Sequence, residues 1–191
     1  MRLIARRIAL QDLVKPELLL LLLCGIMMGC STSGRFRSKK DESYADKLER
    51  VLIVYSDEDT RAILGRNFSH RLVDDLIDLF ARQNVTSESV QFDRSKLDGN
   101  ATVKAAEARF QPRQVLYFRV TYVNTSSSFL MVDPNQLPHF SHSMAITLEF
   151  EVSDSKGDKT IWRTDVDYYS VPNPKKVATD LAENMRAAKL L

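Results

Sequence analysis

The chain of 191 residues has two cysteines, Cys24 and Cys30, and none after position 30. The remainder therefore holds neither a disulfide framework nor a thiolate metal site. Glycine is scarce, with six in all, and no G-x-G-x-x-G or G-x-x-x-x-G-K-[ST] loop is present to cradle a phosphate. The G-x-S-x-G elbow that displays a serine nucleophile is also missing. Nor is one sign of charge in excess. Four basic and two acidic residues precede position 31, which leaves 23 of each in the remainder. A balanced domain has no electrostatic footprint for nucleic acid, so no nucleic-acid partner is expected. Finally, no apolar run reaches the roughly 20 residues that a comfortable membrane span needs.

One shorter apolar run is present. Leu18 to Met28 carries no charge, Arg2, Arg6, Arg7 and Lys15 precede it, and Gly29-Cys30 ends it. A basic start, a short apolar stretch and a small residue at a cut site are the parts of a secretory signal. Met27-Met28-Gly29-Cys30 resembles the lipobox of bacterial lipoproteins, with Met27 where Leu, Val or Ile is usual. That resemblance implies a signal peptide over residues 1–29, cleavage between Gly29 and Cys30, and acylation of Cys30 as the new N-terminus. Ser31 in place of Asp after the cysteine implies a periplasm-facing outer-membrane location, with the membrane contacted through the lipid. A stop-transfer anchor and a buried apolar helix are the competing readings. Residues 30–45 are polar, small and charged, and are expected to form a flexible tether. Within it, Arg35, Arg37, Lys39 and Lys40 suit either anionic headgroups or plain solvent.

A single α/β domain is expected over residues 46–191. Val51 to Tyr55 is a continuous β-branched run, as in a strand buried on both faces. Leu64, Phe68, Leu72, Leu76 and Phe80 recur every four residues with Val73 and Ile77 beside them, the stripe of an amphipathic helix. Val85 to Phe92 reads as a weaker strand, and Thr102 to Phe110 as a short helix stopped by Pro112. Gln114 to Val123 predicts a central strand. Asn124 to Ser143, with Pro134 and Pro138, reads as a long irregular connection, a kind often functional. Met144 to Val152 and Thr160 to Tyr168 alternate with period two, which predicts a hairpin packed on one side. A loop of Ser155, Lys156 and Gly157 would pair Phe150 with Trp162 and Glu149 with Arg163. Asn173-Pro174 opens a last helix with Val177, Leu181, Met185 and Ala188 inward.

The order β-α-β-α-β-β-β-α predicts an α/β (α+β) two-layer sandwich, a mixed sheet of about five strands with helices on one face. Here the chain resembles a group of small bacterial envelope lipoproteins whose domain is similar to the N-terminal domain of TolB. The matching pieces are Lys47 to Val54, Phe68 with its helix, and Val152-Ser153-Asp154 through Gly157 to Ile161-Trp162. The resemblance implies a location and a non-catalytic assembly or partner-binding class.

Candidate sites are few. His139 and His142, with Asp133 upstream, lack a third ligand at motif spacing, so neither a metal site nor another cofactor is expected. Glu149, Glu151, Asp165 and Asp167 are expected on a solvated strand face, without the pocket that would tune a catalytic acid. No catalytic residue is therefore assigned. Phe129, Leu130 and Met131, with Val132, are apolar inside a polar connection. They suit either a small core beneath it or contact with a partner. The expected function is that of a lipid-anchored, non-catalytic envelope lipoprotein that binds or helps assemble another envelope component. The alternative is a periplasmic enzyme with residues 124–143 as its active-site lid.

Overall fold

The structure, a computed structural model, describes residues 34–56, 61, 63–65, 67–92, 99–130, 139–156 and 159–191. Nine elements follow one another: β1 (Arg35–Lys40), β2 (Arg50–Tyr55), α1 (Phe68–Arg82), β3 (Thr86–Gln91), α2 (Gly99–Phe110), β4 (Gln114–Leu130), β5 (His139–Asp154), β6 (Thr160–Tyr168) and α3 (Pro174–Ala187). The strands form one mixed sheet in the order β1-β6-β5-β4-β2-β3. β2 runs parallel to β3 and β4, and the remaining pairs are antiparallel. The α+β class is as expected, with six strands rather than five.

β2 is buried from Val51 to Tyr55 because both of its faces are covered. Alternate residues of a strand point to opposite faces. Val51, Ile53 and Tyr55 join a large core with α1 and α3, whereas Leu52 and Val54 meet Ala106 and Phe110 of α2 in a smaller one. The expectation of helices on one face is corrected accordingly. α1 and α3 pack side by side on one face, and α2 covers only the β2–β3 end of the other. Leu72, Leu76 and Phe80 are fully buried on α1, and each such side chain contributes roughly 1.5–3 kcal/mol by leaving water. α3 starts where Asn173 caps it, its side chain accepting from the Lys175 N–H at 3.0 Å, with Pro174 in the first turn.

The segment expected as tether is ordered from Arg35 to Lys40 as edge strand β1 against β6. Its alternation explains why a charged hexapeptide is held. Ser38 reaches Thr164 at 2.8 Å and Asn184 of α3 at 2.6 Å. Lys40 Nζ donates to the Ala188 carbonyl at 2.8 Å, a cation at a helix C-terminus. On the opposite face Arg37 makes a bidentate pair with Asp167. Gly34 enters this strand so close to β6 that a Cβ there would stand 2.8 Å from the Tyr168 ring.

The β5–β6 register also differs from expectation. Val152 pairs Trp162, Phe150 pairs Thr164, and Glu149 pairs Asp165. Two changes displace it. The Asp154 N–H donates to the Lys159 carbonyl at 3.0 Å, so the turn spans four residues rather than three. A bulge between Val152 and Ser153 then lets Ile161 stand opposite no partner. Gly157, expected at a left-handed turn position, lies outside the described residues.

Candidate functional site

On the face away from α1 and α3, α2 stops short, and among the described residues no helix covers the sheet from β4 to β1. Its side chains form a ladder. Arg119 Nη2 donates to Glu149 Oε1 at 2.7 Å, and Arg163 Nη2 donates to Glu149 Oε2 at 3.0 Å. Glu149 was expected in solvent, yet it is 3% exposed. Strand parity does place it on the open face, where the arginines of the flanking strands roof it over. Its carboxylate raises the Arg119 pKa through their hydrogen bond, against a partial desolvation that acts the other way. A buried carboxylate thus keeps both oxygens engaged by charge-assisted bonds.

Beside this ladder lies a cleft of about 360 Å³. Its floor and back are Val54, Phe92 and Val103, its α2 wall carries Asn100, Lys104 and Glu107, and Tyr117, Arg119, Glu149 and Glu151 close the strand side. Positions 100, 103, 104 and 107 share one helix stripe, which is why a single short helix supplies a whole wall. Tyr117 is 39% exposed. A second bulge, between Val120 and Tyr122, sets Tyr122 opposite Thr147. Without it the period of two would put Tyr122 on the α1–α3 face. With it, Tyr122 joins Tyr117 and Arg119 on the open face and is 54% exposed.

The second feature is an arm. β2 stops at Tyr55 opposite Phe118, and β6 stops at Tyr168 opposite Ile146. β4 and β5 nonetheless stay paired from Asn124–Ala145 to Leu130–His139. Seven residues of strand are about 24 Å long. The connection expected to be irregular is therefore a two-stranded ribbon for most of its length. Among the described residues nothing pairs with either of its outer edges. Over residues 124–145 only Asp133 is charged, in a chain with 27% charged residues, so the lysines and glutamates that normally blunt an open edge are missing.

Of the sequence-derived candidates, Phe129 and Leu130 sit in the arm, in register with Phe140 and His139. Met131, Val132 and Asp133 lie outside the described residues, as do Gly29 and Cys30. His139 and His142 both belong to strand β5, so the helix turn that would bring them to one side is not formed. Among the described residues no three His, Cys, Asp or Glu side chains group as metal ligands, and no helix is long and apolar enough to cross a membrane. The sequence reading missed the cleft. The stripe at 100, 103, 104 and 107 and the exposed tyrosines were its only traces.

No family model and no curated protein matches the chain. Among solved structures it is similar to PelC from Paraburkholderia phytofirmans, a dodecamer, at 16% identity and a TM-score of 0.46, covering 80% of this chain and 94% of that one. It is also similar to a PDZ domain protein from Parabacteroides distasonis, at 9% identity and a TM-score of 0.41, over 84% of this chain and 38% of that one. A third is a neuraminyllactose-binding hemagglutinin homolog from Helicobacter pylori, at 10% identity and a TM-score of 0.41, over 78% and 85%. Likeness at this level assigns no role to this chain.

Proposed function

We propose that the protein is a lipid-anchored, non-catalytic cell-envelope lipoprotein, held at the periplasmic side of the outer membrane by Cys30, that binds another envelope protein through the β4–β5 arm. The leader supports the location: a basic start, a short apolar run and Met27-Met28-Gly29-Cys30. The arm supports the binding role, and it is the observation that carries the proposal. A two-stranded ribbon is marginal in water on its own, and its open edges are templates for a further strand. A partner that adds an extended, uncharged segment to one edge satisfies those backbone groups. The domain would then be a TolB-like module in the partner-binding class.

The test separates anchoring from binding. Cys30→Ser should abolish palmitate labelling and membrane retention. Replacing residues 126–143 by an Asn-Gly turn, which keeps Met144 against the core, should keep the melting temperature close to that of the parent while removing the protein from its envelope complex on native gels. An arm-less protein that still migrates in the complex refutes the arm as the binding element.

A further inference from the structure

We propose that the cleft between α2 and the open face of β4 and β5 binds an uncharged saccharide, a role separate from that of the arm. The volume of about 360 Å³ falls at the lower end of small-molecule sites and leaves room for a sugar of one or two rings. Charge narrows the class. Lys104 and Arg119 line the cleft with Glu107, Glu149 and Glu151, and Arg163 joins them through its bond to Glu149. With Asp165 opposite Glu149 on the same face, three cations meet four carboxylates, which offers no positive field to a phosphate or an acidic peptide.

The polar groups that remain suit hydroxyls. Among the described residues the side chains of Asn100, Lys104 and Glu107 make no hydrogen bond or ion pair, although Lys104 and Glu107 are three apart on one helix. An amide, an ammonium and a carboxylate in a row supply both donors and acceptors, and each sugar hydroxyl both donates and accepts. Beside them, Val54, Phe92 and Val103 form an apolar floor, and across the cleft Tyr117 presents part of a flat ring. A pyranose has the same two-sided character, with C–H groups on a face and hydroxyls at the rim. The bulge before Tyr122 continues the aromatic surface along the same face past Arg119, in the direction a longer glycan would take.

The experiment is titration calorimetry on the full chain in detergent with maltotriose and N,N′,N″-triacetylchitotriose, and with inorganic phosphate and trilysine as charged probes. At least one trisaccharide should bind, and Tyr117→Ala should weaken it by about tenfold or more, while Tyr117→Phe retains it. Asn100→Ala, at an exposed helix position that leaves the fold intact, should weaken it by about threefold. Tyr169→Ala, outside the cleft, should change nothing. The proposal is overturned if neither trisaccharide binds at about 10 mM. It is also overturned if binding survives both cleft variants, or if phosphate or trilysine binds in place of the sugars.

Discussion

The two ends of the β4–β5 hairpin share one ladder and differ in everything around it. At the root, Gln114–Val120 and Leu148–Asp154 lie between β2 and β6, with helices over one face and an ion-pair ladder across the other. Tyr55, Phe118 and Phe150 stack across three strands there, their ring centroids 5.9 and 5.8 Å apart. In the arm, residues 124–130 and 139–145 pair only with each other among the described residues, and of these Met144 alone packs against the core. Backbone pairing is the same in both, so pairing alone does not set stability. What the root adds is burial, and burial is what mutation can measure.

The largest effect should come from Phe150→Ala. Its ring is fully buried at the β5 end of the aromatic stack, against Phe118, and such truncations cost roughly 3–5 kcal/mol. Urea unfolding measures it. A loss below about 1 kcal/mol would mean that the root is packed no better than an exposed surface site.

Next comes Glu149→Gln, which keeps the shape and removes the charge. Breaking a fully buried pair costs about 3–5 kcal/mol because a bare ion stays behind. Here the ions left are Arg119 and Arg163, whose side chains are about half in water. The expected cost is therefore lower, about 1–2 kcal/mol for charge-assisted bonds to a buried acceptor. A double-mutant cycle with Arg119→Gln should show coupling above about 0.5 kcal/mol. Independent, additive effects would show that the ladder is only a surface arrangement.

Acid should loosen the outer flank of the root, where β1 joins β6. Lys159, and then Ser43, hold the Asp41 carboxyl down at about 2 from its ordinary 3.8. A depressed folded pKa means that Asp41 stabilises fully above about pH 4 and that this support vanishes as pH falls through 2. The difference in melting temperature between the parent and Asp41→Asn should shrink over that interval. A constant gap between them would remove Asp41 from the clamp.

The same contrast explains what could be read in the sequence. Val51–Tyr55 and the stripe from Phe68 to Phe80 were legible because side-chain burial drives those elements and leaves a period, although Leu64, expected on the same helix, lies before its start and beyond Gly65 at φ 91°. Arg35–Lys40 and Asn124–Ser128 were not. Both are strands held by backbone pairing, with a few polar bonds added in the first, and their composition resembles that of a linker. The bulges at Thr121 and Ile161 leave no mark either, since one extra residue shifts register without changing composition. Hence the hairpin pairing, the position of Tyr122 and the cleft beside it were all hidden. Glu149 was placed on the correct face, but its burial comes from Arg119 and Arg163 on other strands. Such long-range cover has no local signal.

The smallest stability effect is expected from the change that bears most on function, in the arm. Phe129 and Leu130 lie in the stretch where neither β2 nor β6 flanks the ribbon, and Met131 follows them. As partner anchors, all three truncated to Ala should shift stability by no more than about 0.5 kcal/mol, as surface substitutions usually do. The same triple variant should lose its partner, because a few apolar anchors dominate binding energy. As a small core of their own, each truncation would instead cost roughly 2–5 kcal/mol and lower the melting temperature. A thermal melt and a native gel on one variant therefore test the arm against the root directly. A root-sized loss of stability would mean that the arm folds onto something in its own chain, and the binding role would have to move to the cleft and the open face beside it.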